Sequence, residues 1–453
     1  MSIFNDKKFN YFFLLLTVGV FFIYLPAITG TPIWDDKIYF FNENYLNETG
    51  GITNIFLKHR WALFTLIILG LQKVFGDLTW PYHLLNIVLH ILNSVLFFQI
   101  LKRSQLKGKY WIMLVFAFHP AHITSVAWMI QLKTIFSTSF MLLSGWWLLN
   151  YFHTTRKKFI YLSVLIYSLS LFIKSSTIVF PALLLGYTFL FNRKYLWTVI
   201  PFGIVSIGYL LYFVGAIDFQ HSTNIVRKSY NKQPGEELSI LLTLQIFSYY
   251  LKQAFFPFNL TTIYGKFPDK NTIAILINLI PLTFIATLIW KRKILIFLLF
   301  FVTAISPFLA FIKAPYMSIT QVSDQHLYIP LLITSIFIAY VICNLKMKVK
   351  FKNAIISFLI IAFLIYGHLF AYNYQSEKQF YKTALDNNPH IHVAYINLAT
   401  SYMDKQKWDK ARKILYKGLE VLKKDCNCNV QKHPLYFYFE HQFNRLYNSH
   451  NFH

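Results

Sequence analysis

Long uncharged apolar runs alternate along most of the chain with short basic clusters, and this alternation predicts a series of membrane-crossing helices. The first run, 11–28, is longer than a signal-peptide core and has no small-residue cleavage site behind it, so it reads as a retained span. Clusters at Lys102-Arg103 with Lys107 and Lys109, Arg156-Lys157-Lys158, Arg193-Lys194, Lys291-Arg292-Lys293, and Lys346, Lys348, Lys350 and Lys352 each lie between two runs. With every cluster on the cytoplasmic side, the spans read 11–28, 82–101, 110–127, 131–152, 159–174, 176–191, 197–217, 273–290, 294–313, 327–343 and 353–372, about eleven in all. The amino terminus is then inside and the carboxyl terminus outside. Two further helical stretches, 61–75 and 238–256, carry Gln72, Lys73, Gln245 and Lys252. Both start and end outside, so interfacial or re-entrant helices are expected there.

The pattern changes near residue 375, which divides the chain into a membrane-embedded part, 1–375, and a helical tail, 376–453. In the tail Tyr395, Leu398, Ala399, Tyr402, Ala411, Leu415 and Gly418 recur at the spacing of a tetratricopeptide unit, whose small residues let two antiparallel helices cross closely. Tyr381, Ala384 and Pro389 match the second half of a preceding unit, and 435–447 the start of a later one. An ordinary amphipathic helix pair has the same spacing. So few repeats do not fold alone, and the tail is expected to pack on the membrane part or its outer loops.

Composition fixes the class as a polytopic all-α membrane protein: 56% of residues are hydrophobic and only 13% charged. The net charge of +25 does not imply nucleic acid, because the basic residues mark the loops that stay cytoplasmic. Three cysteines in 453 residues build no disulfide framework, and Cys426 and Cys428 alone are too few for zinc. The abundant aromatic residues read as lipid-facing and interfacial surface.

The topology gathers Asp35, Asp36, Arg60, His119, His122, Lys174, Asp324 and His326 on the outer side. Span interiors hold almost no ionisable group apart from His90 and His368, which argues against an ion-coupled transporter or a flippase. A carboxylate of the Asp35-Asp36 pair suits a general base, and Arg60, His119, His122 and Lys174 suit an electrostatic clamp on phosphate. Plainer roles stay open for each. The aspartates also read as a solvated loop or a helix start, and Lys174 as a snorkelling anchor. His119 and His122 flank Pro120, where they also suit backbone carbonyls left bare by the break. A His-x-x-His metal site completed by Asp324 or His326 is a further alternative, with no third ligand near in sequence.

Several stretches together resemble the GT-C superfamily, in particular protein O-mannosyltransferase-like glycosyltransferases with tetratricopeptide tails. They are Trp34-Asp35-Asp36, Tyr82-His83-Leu84-Leu85-Asn86 with His90 and Asn93, Phe118-His119-Pro120-Ala121-His122 with Ser125-Val126-Ala127-Trp128, Lys174 with Pro181, and Asp324 with Tyr328 and Pro330. The resemblance implies inverting transfer of one sugar, mannose by family precedent, from a polyprenyl-phosphate donor to an acceptor hydroxyl, on protein or glycan, at the outer face. It implies a first-loop Asp as general base, with Asp35 favoured and Asp36 orienting the acceptor or holding a tail-side contact. Arg60, His119, His122, Lys174, Asp324 and His326 are the expected donor-phosphate or substrate contacts. No cofactor is implied, and a divalent metal is only an open alternative. Expected partners are the lipid-linked sugar, the acceptor, membrane lipid and a protein bound by the tail, in a bacterial inner membrane. The chain departs from the family where Thr124 stands for Glu, Ser175 for Glu or Pro, and Gln325-His326 for Arg-Tyr. Those departures keep a second reading in view, an inactive GT-C-like scaffold that binds partners through its tail.

Overall fold

The computed structural model describes residues 7–41, 51–59, 61–223, 240–267, 275–279, 291–309, 315–425 and 434–450. Arg60, Cys426, Cys428 and most of the expected 273–290 span lie outside them. The described residues are helical throughout, with no strand among them, as the apolar periodicity requires.

Four helices among them are long and apolar enough to cross a membrane: Lys7–Ile28, Trp80–Arg103, Arg193–Val214 and Val349–Tyr374. A broken pair, Lys109–Phe118 and Pro120–Ala127, makes five if it is one span, and bends by 51°. The break has a local cause. Pro120 has no amide hydrogen and excludes the helical conformation from the preceding residue, so His119 is extended at φ −61°, ψ 123°. Other expected spans coincide with helices that are shorter or more polar, such as Lys157–Ile173, Pro330–Asn344 and Leu132–Thr154. The stretches expected at the interface form Ala62–Phe75 and Ile240–Phe255. Leu14, Val18, Leu211 and Phe358 point outward from their helices, an apolar surface fit for lipid.

Buried irregular backbone must be satisfied from within the protein. Residues 117–135 are served by the polar face of Trp80–Arg103. His90 Nε2 pairs with the Ala117 carbonyl at 2.9 Å, Asn86 donates to the Val126 and Trp128 carbonyls at 3.2 and 3.1 Å, and Asn93 donates to the Ile135 carbonyl at 3.0 Å. These bonds set the path of the segment that reaches the first loop.

The tail comprises Glu377–Asn387, His392–Met403, Trp408–Asp425 and Pro434–His450. Tyr395, Ala399, Ala411, Leu415 and Phe439 share one small core. Gly418 permits the crossing, since a Cβ there would lie 2.6 Å from Tyr395 Cβ and 2.8 Å from Phe439 Cε1. The start of the tail belongs to the main core: Phe380, Tyr381, Ala384, Ile391 and Ala394 are buried together with residues of the membrane helices. Directional bonds fix this dock. Thr31 N–H donates to the Gln375 carbonyl at 3.1 Å, Thr262 Oγ1 to the Phe380 carbonyl at 2.6 Å, and Asn388 Nδ2 to the Tyr264 carbonyl at 2.9 Å.

Candidate functional site

The first loop carries the aspartates on a short helical turn, Asp35–Tyr39, entered through an unusual residue. Trp34 has φ 48° and ψ −109°, a conformation that costs a non-glycine residue roughly 1–3 kcal/mol and persists only when its surroundings enforce it. Three rings do so, with the Trp34 indole 6.2 Å from Trp128, 6.4 Å from Phe380 and 6.2 Å from Tyr381. The Trp128 indole N–H also donates to the Ile33 carbonyl at 3.2 Å.

The two aspartates part company at this turn. Asp36 points inward and is 1% exposed, its Oδ2 accepting the Ile33 amide at 2.9 Å and its Oδ1 the Ile130 amide at 2.8 Å. Burial pushes its pKa well above the usual carboxylate range, against the pull of both amides and of the Lys133 ammonium. Asp35 is half-buried on the tail side, within electrostatic reach of Tyr381. Lys37, next along, makes the tail-side contact considered for Asp36: its Nζ meets Glu377 Oε2 at 2.7 Å.

Lys133, which the sequence reading passed over, is 6% exposed and acts electrostatically on both Asp36 and Lys174. Its ammonium lies 4.1 Å from the Trp61 ring centroid and 5.6 Å from that of Tyr39, which offsets part of its desolvation. A signal existed in the sequence: Lys133 falls in the first turn of Leu132–Thr154, where the helix dipole disfavours a cation. Lys174 is 7% exposed at the extended end of Lys157–Ile173, and its Nζ donates to Thr134 Oγ1. Lys133 thus lies within electrostatic reach of the buried Asp36 carboxylate on one side and of a second buried lysine, Lys174, on the other.

His326 completes this group. Tyr250 Oη accepts the Ser323 amide at 3.1 Å and shares a hydrogen bond with His326 Nδ1, 2.7 Å away. Phe308 stacks on the imidazole with centroids 3.8 Å apart, and burial, with Lys174 adding to it, pushes the His326 pKa well below the ordinary value.

The other expected site residues lie in different surroundings. Asp324 accepts from the Tyr264 hydroxyl at 2.7 Å, and burial raises its pKa to about 7 against that bond. His119 has both ring nitrogens on backbone, Nε2 donating to the Ala254 carbonyl at 3.1 Å and Nδ1 accepting the Ala121 amide at 3.3 Å. His122 is packed among the rings of Phe116, Tyr328 and His90, with centroids 4.6, 4.6 and 5.0 Å away. Arg60 lies outside the described residues. Thr124 bonds the Tyr374 hydroxyl at 2.8 Å. Among the described residues no three His, Cys, Asp or Glu side chains come together to hold a metal ion.

Among the described residues the fold and this site define an all-helical chain with apolar helices of membrane length and a buried lysine, Lys133, beside a strained, carboxylate-bearing turn. Comparison with protein families, curated proteins and solved structures finds no match.

Proposed function

We propose that this chain is a membrane glycosyltransferase of GT-C type that moves one sugar from a polyprenyl-phosphate donor to an acceptor hydroxyl. One observation supports it above the others: Lys133 and Lys174 are buried within electrostatic reach of each other, and Lys133 is within reach of Asp36 on the first-loop turn. Burying like charges together is costly, and an anionic ligand offsets the cost.

In this reading the acceptor oxygen attacks the anomeric carbon, the carbon–oxygen bond to phosphate breaks, and the acceptor proton passes to Asp35. Lys133 and Lys174, with His326 beside Lys174, stabilise the negative charge that develops on the leaving polyprenyl phosphate. Asp36, with both oxygens on backbone amides, positions the turn and leaves proton transfer to its neighbour. Attack from the face opposite the phosphate inverts the anomeric centre. Mannose and protein Ser or Thr are the sugar and acceptor that the family resemblance favours. The eleven-span topology belongs to the same reading, with the site, the tail and Lys405 outside a bacterial inner membrane, as does a tetratricopeptide tail that holds the acceptor or a partner protein.

The direct test incubates purified protein with polyprenyl-phosphate mannose and other lipid-linked sugars, with and without peptide or glycan acceptors, and follows donor consumption. No consumption of any donor would leave the second reading, an inactive scaffold. The Thr124–Tyr374 bond favours that one, because it ties the position of the family's Glu into the packing. Topology is tested separately, by labelling single thiols placed at Lys405 and Lys350 from each side of intact cells. Reaction of the Lys405 position only from the cytoplasm refutes the outward-facing site.

A further inference from the structure

Thr134 follows Lys133 in the first turn of Leu132–Thr154, and its Oγ1 accepts from the Lys174 ammonium. The hydroxyl proton of Thr134 is committed elsewhere. It goes to Gln131 Oε1 at 2.6 Å, so toward Lys174 the oxygen offers lone pairs alone. Gln131 occupies the N-cap of this helix, yet its side chain caps no backbone amide and holds the Thr134 hydroxyl instead. All three side chains are buried, and among the described residues no other acceptor meets Lys174 Nζ.

Both ends of the contact stand on fixed backbone. The Thr134 carbonyl accepts from Ser137 Oγ at 3.1 Å and Thr138 Oγ1 at 2.8 Å. The Lys174 amide donates to the Ser170 carbonyl at 3.1 Å, and the Lys174 carbonyl accepts from Thr177 Oγ1 at 3.1 Å. Electrostatics explain why the ammonium needs a tether. Lys133 repels it, as does the positive end of Leu132–Thr154, and a lysine stem is flexible enough to swing its charge away. The Thr134 oxygen opposes that movement. It takes one of the three ammonium hydrogens and leaves two for the oxygens of a phosphate.

We propose that Thr134, held by Gln131, is the positioning residue that keeps the Lys174 ammonium on the leaving phosphate of the sugar donor; this rests on the transferase reading above. Thr134 touches no reacting atom. It acts through Lys174, whose charge matters most as negative charge gathers on the departing oxygen.

The test uses the purified full chain with polyprenyl-phosphate mannose. Thr134→Val, close in shape but without the oxygen, should lower kcat about tenfold or more and change KM less. Thr134→Ser keeps the acceptor and should restore most of the rate, and Gln131→Leu, which frees the Thr134 hydroxyl to turn, should give a smaller loss than Thr134→Val. Added to Lys174→Met, Thr134→Val should cost nothing further, because its effect runs through the ammonium. Melting temperatures of wild type, Thr134→Val, Lys174→Met and the double variant supply a readout that needs no reaction: the two single shifts should fail to add. Additive melting shifts overturn the proposal, as does transfer by Thr134→Val at the wild-type rate. Non-additive shifts in a wild type that consumes no donor keep the Thr134–Lys174 coupling and overturn the transferase reading on which its role rests.

Discussion

Asp36 Oδ1 accepts the Ile130 amide at 2.8 Å, so a carboxylate of the first loop holds a backbone group 94 residues away, beside Lys133. The bond ties the turn that carries Asp35 to the segment that carries the first buried cation, and it separates the roles of the two aspartates.

Asp36→Asn removes one acceptor oxygen and sets an amide donor against a backbone donor. We expect it to destabilise the protein by about 1–3 kcal/mol, lowering its melting temperature in detergent and weakening transfer through the displaced turn. A variant as stable as wild type would show that the amides find other partners.

Asp35→Asn should leave stability within about 0.5 kcal/mol and reduce transfer about 100- to 10,000-fold at saturating donor, flattening the acid limb of the pH–rate profile. Wild-type transfer by this variant would remove Asp35 as the base.

Lys133→Met and Lys174→Met separate binding from folding. Each removes one of two mutually repelling buried charges, so the donor-free variants should be as stable as wild type or more so. On the proposed glycosyl transfer, catalysis should nonetheless fall by roughly 2–4 kcal/mol in kcat/KM, because the proposed leaving phosphate would lose a cation. Reduced stability without a kinetic defect would mark the lysines as packing elements.

Asp324 sets a pH dependence whose sign follows from its raised pKa, about 7 against an ordinary 3.8. Between those values the folded chain keeps a proton that the unfolded chain has lost, so stability falls as pH rises and levels off above about 7. The span of the effect is at most about 4 kcal/mol. Melting temperature against pH should show the decline in wild type, and Asp324→Asn should abolish it. An identical slope in both would assign it to other groups.

Lys37→Glu should loosen the first loop from the tail and weaken transfer several-fold, and adding Glu377→Lys should restore it. The pair is half exposed on the lysine side, so the stability change should stay below about 1 kcal/mol. A double variant no better than the single one would show that the contact does not position the loop.

Helix-bearing segments were legible because apolar runs and small residues act locally. Pro120 announced the bend, and Ala411, Leu415 and Gly418 announced a close helix crossing. Span length was less legible, because hydropathy does not mark where helical hydrogen bonding stops: residues 327–343 read as one run, yet the helix is Pro330–Asn344, preceded by a 3-10 turn at Asp324–Leu327. In the site, charged residues at segment ends drew attention, and Lys133, counted within a span, did not. Asp36 could not be resolved from Asp35, since its partners are backbone amides, which every residue but proline owns. The same holds for His119, whose acceptor is a carbonyl on a distant helix.

The Lys37–Glu377 contact joins positions 340 residues apart. During synthesis the first loop emerges long before Glu377, Phe380 and Tyr381, the tail residues that hold Lys37 and the Trp34 ring. The strained turn therefore cannot settle against its partners until the tail has been made. A chain stopped near residue 375 would hold its apolar helices while the Trp34 ring and Lys37 lacked Phe380, Tyr381 and Glu377, leaving Asp35 adrift.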